Sequence, residues 1–262
     1  MCTVVLLRRP SHEWPVIIGA NRDEMVNRPW KPPARHWPDR PDVIAGLDEL
    51  AGGTWMGLND AGVAVCILNR FGSLGPAPGK RSRGELVLEA LDHASAAEAA
   101  EALADLDPLA YRPFNLVLAD SRDAWWLALR ASVPGAWIDR QMIPAGLSMF
   151  TAFDRDDPAD QRIAHFRPKF ESRPAPEPGR GDWEEWRRLL GATEGGGEAR
   201  AMSFRMPNGF GTSSSSLLAL PSPEKAFKKA GARPVWLFAA GPPESALFEP
   251  VDIARTARNP AV

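Results

Sequence analysis

Cys2 stands directly behind Met1 and opens the run Cys2-Thr3-Val4-Val5-Leu6-Leu7. Once Met1 is removed, the cysteine becomes the first residue of the chain and carries its own base. The thiolate is the nucleophilic form of the side chain, and a free α-amine, with a reference pKa of about 8, accepts the thiol proton without help from a histidine. The small side chain at position 2 permits removal of Met1 by an aminopeptidase. Taken alone, the position also suits a small apolar residue at the start of a strand, because free cysteine is among the most buried residue types.

A second polar group, Asn21-Arg22-Asp23-Glu24, follows the apolar run Pro15-Val16-Ile17-Ile18-Gly19-Ala20. Residues 3–8 and 15–20 read as two short buried strands. If they form a hairpin across Arg9-Pro10-Ser11-His12-Glu13-Trp14, the far end of the second strand returns to the neighbourhood of Cys2. An aspartate there can hold the α-ammonium or the attacking thiol by a charge-assisted hydrogen bond, and an asparagine can donate to an oxyanion. The plainer reading of the four residues is a solvated loop with one Arg–Asp pair.

The elements that would position these groups are legible in outline. Residues 51–58 and 63–68 flank the turn Asn59-Asp60-Ala61-Gly62, and residues 114–119 and 124–129 flank Asp120-Ser121-Arg122-Asp123, two hairpin patterns. Ser82-Arg83-Gly84-Glu85 and Ser95-Ala96-Ala97-Glu98 each fit a capping box, predicting helices with apolar faces at Leu86, Leu88 and Leu91 and at Ala99, Leu103 and Leu106. Asp107-Pro108 stops the second helix. Further strands are expected at 143–150, 215–220 and 235–240. Strands in quantity with helices in two batches predict an α+β sheet-on-sheet sandwich covered by helices, not alternating βαβ units. The Pro- and Gly-rich stretches 172–181 and 191–197 surround a short helix at Trp183–Leu190, and read as a loop-rich insertion around 171–200 of a single domain covering 1–262.

At 262 residues the chain lies near the upper limit of what one core serves. A net charge of -2 offers no basic field, so nucleic acid is not expected as a partner. Two cysteines give no disulfide framework. The apolar run Val4-Val5-Leu6-Leu7 is too short for a signal peptide, and no apolar run reaches the ~18 residues of a membrane span. A soluble, cytoplasmic protein of undetermined oligomeric state is expected. Gly75-Pro76-Ala77-Pro78-Gly79-Lys80 fails as a P-loop, because its glycines are one residue too close and Arg81 stands in place of Ser or Thr. Gly209-Phe210-Gly211 has Ser214 where a dinucleotide fingerprint needs its third glycine. No zinc or c-haem motif is present, and His12, His36, His93 and His165 are isolated, so no metal site is expected. Ten tryptophans against one tyrosine could furnish an apolar pocket for a ring system or acyl chain.

Met1-Cys2-Thr3, Gly19-Ala20-Asn21-Arg22-Asp23-Glu24, Arg28-Pro29, Gly46-Leu47-Asp48, Gly52-Gly53-Thr54-Trp55-Met56-Gly57, Asn69 and Ser82-Arg83-Gly84-Glu85-Leu86-Val87 together resemble the NRDE family, the group related to the transport and Golgi organisation protein 2. The resemblance is strong over 1–120 and continues more weakly at Phe114-Asn115-Leu116, Gly146-Leu147-Ser148 and Gly211-Thr212. It implies an N-terminal-nucleophile fold, a four-layer αββα sandwich, distantly similar to choloylglycine hydrolase and penicillin V acylase, which cleave amide bonds with an N-terminal cysteine.

By that resemblance Cys2 is the nucleophile, Asp23 steadies it and Asn69 helps bind the oxyanion. Asn21, Arg22, Arg28 and Trp55 are implied around the ligand, with Arg28 pairing with Glu24 or Asp48 and Trp55 packing after the Gly52-Gly53 turn. The sequence departs from its relatives at Ala20, where the bile-salt and penicillin V enzymes carry arginine, at Met149, where asparagine is usual, and at Ser213, where arginine is usual. An arginine substituting for the one missing at position 20 would be Arg22 or another. Two functions are implied: hydrolysis of a small-molecule amide through Cys2 with no cofactor, or a non-enzymatic carrier of haem or a lipid-like ligand, since the family is linked to haem trafficking and lipid homeostasis.

Overall fold

The apolar runs at the N-terminus pair as a hairpin. In the computed structural model, which describes residues 2–195, 198–228 and 232–254, strands β1 (Thr3–Arg8) and β2 (Val16–Met25) are antiparallel, from Thr3 opposite Asn21 to Arg8 opposite Val16. Their residues are apolar on both faces because both faces are covered: Val4, Leu6, Val16 and Ile18 enter one core, Val5 and Ile17 another. Strands β3 (Trp30–Ala34), β4 (Val43–Asp48), β5 (Met56–Asn59) and β6 (Ala64–Asn69) follow, then helices α1 (Gly84–Leu91) and α2 (Ala96–Ala104). Next come β7 (Phe114–Ala119), β8 (Ala124–Leu129), β9 (Ile138–Met142) and β10 (Gly146–Phe150). Helices α3 (Gln161–Ser172) and α4 (Glu184–Leu190), strand β11 (Phe210–Leu220), helix α5 (Pro223–Lys228) and strands β12 (Val235–Ala239) and β13 (Phe248–Pro250) complete the order.

Two antiparallel sheets result, one in the order β10-β1-β2-β11-β12-β13 and one in the order β3-β4-β5-β6-β7-β8-β9. Between them lies a core that includes Leu6, Ile18, Met56, Leu68, Trp126, Phe150 and Trp236. Helices α1 and α2 cover the outer face of the second sheet through Leu86, Val87, Ala99 and Leu103, and α3 and α4 cover the first through Ile163, Phe166, Trp186 and Leu190. This is the four-layer αββα sandwich. Among the described residues no helix is long and apolar enough to cross a membrane.

Several local expectations are corrected. Asn21–Glu24 are not a loop: β2 continues to Met25 because β11 pairs with it along its whole length, from Phe210 opposite Met25 to Leu220 opposite Val16. The expected strand at 143–150 is shortened to β10, which starts at Gly146 with φ +102°, and the unexpected strand β9 precedes it in the other sheet. Ser95 caps α2 by accepting from Glu98 N at 3.2 Å, as its motif predicts. Ser82 makes no such cap. Its Oγ accepts from Gly84 N, and Glu85 turns away to accept from Tyr111 Oη and to pair with Arg81. The short helix in 171–200 is no exposed ornament, since Trp183, Trp186, Leu189 and Leu190 are buried against the first sheet.

Helix α3, carrying Pro168, lies in a charged stretch without an apolar stripe long enough to announce it. Its start is set by Asp160, whose Oδ1 accepts from Arg162 N at 2.7 Å and Ile163 N at 3.2 Å.

Gly53 sits where the loop before β5 meets the start of α1. A Cβ there would lie 2.6 Å from the Gly84 carbonyl carbon. Gly53→Ala is therefore expected to destabilise the protein by about 1–3 kcal/mol in urea denaturation, the usual range for overpacking. An unchanged midpoint would mean that this backbone approach is looser than described.

Candidate active site

Strand alternation sorts the residues of β2 between two layers. Ala20 faces the space between the sheets and Gly19 faces α4, so Arg22 points into the inter-sheet space and Asn21 and Asp23 point toward the helices. Cys2, half-buried at the start of β1, packs on the inter-sheet side. Its sulfur is held by the main chain of Asp23: Sγ accepts from Asp23 N at 3.4 Å and donates to Asp23 O at 3.6 Å. The hairpin thus returns Asp23 to Cys2, as the sequence suggests, but the contact is to the backbone of Asp23.

The Asp23 carboxylate enters the helix layer, where it is fully buried. Oδ1 accepts from Thr212 Oγ1 at 2.8 Å, and Oδ2 accepts from Arg162 Nη1 at 3.3 Å. Arg162, on α3, also donates to Thr3 Oγ1 at 2.7 Å and to the Glu198 carbonyl at 2.7 Å, with its guanidinium 5.5 Å from the Phe204 ring. Burial, followed by the nearby Asp23 carboxylate, pushes the Cys2 thiol above its ordinary value, while the Asp23 N–H and Arg22 pull the other way. With Met1 still attached, the sulfur is therefore a thiol at neutral pH and needs a base to become a nucleophile.

Arg22 is only 6 % exposed. Its Nη1 donates to Ser213 Oγ at 3.2 Å, and its guanidinium lies 4.3 Å from the Trp55 ring and 6.0 Å from Trp30. Ser213 occupies a bulge of β11 opposite Arg22 and Asp23, which changes the register between Thr212 and Ser214. That extra residue sends Thr212 to Asp23 and Ser214 to the inter-sheet side. Trp55 lies against Gly46, where a Cβ would be 2.3 Å from the indole, and stands edge-on to Trp30 at 5.7 Å. Arg28 forms a two-pronged pair with Asp48, Nε to Oδ1 at 3.2 Å and Nη2 to Oδ2 at 2.6 Å, with Glu24 at 3.7 Å.

Cys2, Ala20, Arg22, Trp55, Met56, Cys66, Leu68, Ser214 and Ser216 line a narrow cleft between the sheets, of about 310 Å³ up to its open mouth. The interior of the cleft is tight, with room for about one water. Asn69 stands one residue beyond the cleft wall, at the end of β6, on the alternate face from Leu68. The Asn21 amide is turned to the helix layer and donates to the carbonyls of Leu190 and Met202, each at 2.9 Å. Met149 is buried toward α3, so its position does not contribute to the cleft in this arrangement. Cys66 is buried and its thiol is pushed up to about 12 by desolvation.

The model of the family described as Transport and Golgi organisation 2 matches residues 1–148, more than half of the chain. The protein belongs to that family. A Transport and Golgi organization 2 homolog from Mus musculus is 33 % identical over 119 residues, a stretch covering 40 % of this chain and 38 % of the mouse protein. Among solved structures, the Caenorhabditis elegans ortholog of N-acylethanolamine-hydrolyzing acid amidase superposes with a TM-score of 0.56 at 14 % identity, covering 86 % of this chain and 96 % of that one. A variant of conjugated bile acid hydrolase from Clostridium perfringens gives 0.50 at 11 % identity, covering 97 % and 98 %. These likenesses establish the N-terminal-nucleophile hydrolase fold.

In this member of the Transport and Golgi organisation 2 family, Arg162 is the residue that sequence reading missed. Its guanidinium reaches Asp23 from 139 positions away, in a segment without motif, and no local pattern announces it. Only the burial of Asp23 in the folded protein calls for a cation at that point.

Two outcomes follow. Arg162→Met is expected to cost about 3–5 kcal/mol, since it strips a buried carboxylate of its ion pair. Asp23→Asn combined with it should cost clearly less than the sum of the two single changes in a double-mutant cycle, and additive losses would refute the coupling. Second, in the chain that retains Met1, alkylation of Cys2 by iodoacetamide should rise about tenfold per pH unit between about pH 7 and 9, because the raised thiol stays mostly protonated there. Cys66 should remain unreactive in the folded protein. A rate that levels off below about pH 8 would show a thiol lowered rather than raised.

Proposed function

We propose that this protein is an amidohydrolase of the N-terminal-nucleophile type, in which Cys2, freed of Met1, attacks the carbonyl of a small-molecule amide. The observation that carries this reading is the seat of the sulfur: it opens into the inter-sheet cleft while gripped by the main chain of Asp23, whose carboxylate is anchored by Arg162 on the other face of the sheet. The α-amine of Cys2 takes the thiol proton as sulfur bonds to the carbonyl carbon. Collapse of the tetrahedral intermediate breaks the C–N bond, and the amine departs with that proton. Water then hydrolyses the thioester, releasing the acid and restoring the thiol. Asp23, anchored by Arg162 and Thr212, steadies the N-terminal residue. Backbone amides of the cleft are assigned to the oxyanion; Asn69, on the face of β6 turned from Leu68, is not placed to reach it.

The names of the structural neighbours, an N-acylethanolamine-hydrolyzing amidase and a conjugated bile acid hydrolase, are in keeping with this reaction class. The carrier reading has less support. Among the described residues no histidine lines the cleft to ligate a haem iron.

The test joins mass and turnover. Untagged protein should lack Met1 by intact mass and hydrolyse one or more members of a panel of N-acylethanolamines and N-acyl amino acids. Cys2→Ala should abolish turnover, and Cys2→Ser should keep a trace, because the α-amine still serves a poorer nucleophile. Turnover that survives Cys2→Ala, or a chain that always retains Met1, would overturn the proposal. A haem absorption band that Cys2→Ala removes would favour the carrier instead.

A further inference from the structure

Arg22 is a buried cation without a direct ion pair; Glu24 and Asp48 act on it only from beyond contact distance. Among the described residues no carboxylate lies within ion-pairing distance of it, and its one hydrogen-bond acceptor is the neutral Ser213 hydroxyl. Burying a charge is costly unless it is paired. The ring of Trp55 offsets part of that cost, but a ring face satisfies none of the guanidinium's N–H donors. Arg28 shows the contrast. Six residues along the chain, it is more exposed and fully engaged with Asp48.

A second group in the same cleft is left unsatisfied. Ser214 Oγ is buried, with the residue 1 % exposed, and has no hydrogen-bond partner. Ser214 pairs across the strands with Arg22 itself, so the two side chains lie on one face of the sheet, next to Cys2. Arg83 adds to the positive character of this end of the protein. It too donates to neutral oxygens, Ser73 Oγ and the Pro113 and Gly75 carbonyls, and its burial lowers its pKa to about 10, which leaves it charged at neutral pH.

We infer that the cleft selects amides bearing a carboxylate close to the scissile bond, with Arg22 and the Ser214 hydroxyl as the groups that receive it and Trp55 as the side chain that yields to admit it. The inference rests on the cleft being the place where Cys2 meets its substrate. It deepens the amidase reading by naming N-acyl amino acids, in preference to neutral amides, as the substrate class. Arg22 as a mere counter-ion of the Cys2 thiolate is the rival explanation, and it predicts no preference for a charged ligand once the sulfur is gone.

The experiment uses the full chain with Cys2→Ala, which cannot turn over and has no thiolate. N-hexanoylglycine and its primary amide, matched in shape and different in charge, are titrated by calorimetry. The acid should bind about tenfold more tightly or better, the range of a charged hydrogen bond. Arg22→Met should bring the two ligands within about twofold, and Ser214→Ala should weaken the acid selectively. If Arg22→Met does not fold, the acid-to-amide ratio in the parent and in Ser214→Ala still decides. Equal affinities, or binding of neither ligand, overturn the inference. Selective binding of the acid without hydrolysis by the Cys2 protein overturns the amidase reading and leaves the anion preference standing.

Discussion

A carboxylate with no exposure to water has to find its compensation inside the protein, and the Asp23 side chain is in that position. Its partners come from distant parts of the chain: Arg162 from α3, Thr212 from β11 and, through Arg162, Thr3 from β1. Helix α3 is thereby fixed over the first sheet by polar contacts as well as by Ile163 and Phe166. Its own start is tied down by Asp160, which also accepts from Thr151 just beyond β10. The same aspartate holds the sulfur of Cys2 through its main chain. One residue therefore couples the position of the Cys2 sulfur to the docking of an outer helix.

That coupling is possible because β2 is covered on both faces and alternates between them. Odd-numbered residues, Asn21 and Asp23, look to the helices and build structure. Even-numbered residues, Ala20 and Arg22, look into the cleft. The bulge at Ser213 does for β11 what the alternation does for β2, letting consecutive small residues serve opposite layers. The serine run, which reads as low complexity in the sequence, is an ordered set of contacts: Ser213 to Arg22, Ser215 to Asn21 and Ser216 to the Trp236 indole.

The mouth of the cleft follows from a similar economy of small residues. Gly46 lets the Trp55 ring lie flat on β4, and the ring in turn roofs Arg22. Arg28 and Asp48 clamp the start of β3 to the turn after β4, since Asp48 also accepts from Leu50 N. The cation in the cleft is thus set in a frame of aromatic and ionic contacts.

How much of this was legible depends on range. The sequence by itself determined the hairpin of β1 and β2, the cap of α2, the sheet-rich character and the proximity of Cys2 to Asp23, because these rest on hydrophobic runs and turn chemistry within a few residues. It also carried the Arg28–Asp48 pair as one of two possibilities. It did not determine where β2 ends, since Asn21–Glu24 are polar and become a strand only when β11 pairs with them. Nor did it reveal α3, whose apolar face is short and whose reason for docking is a carboxylate on another element. Only the tertiary structure decided that Arg162 pairs with Asp23 in the helix layer, that the Asp23 carboxylate and the Cys2 sulfur occupy different faces of one sheet, and that Arg22 is left facing a cleft without a direct ion pair. Those facts depend on contacts between residues far apart in the chain, which no local pattern encodes.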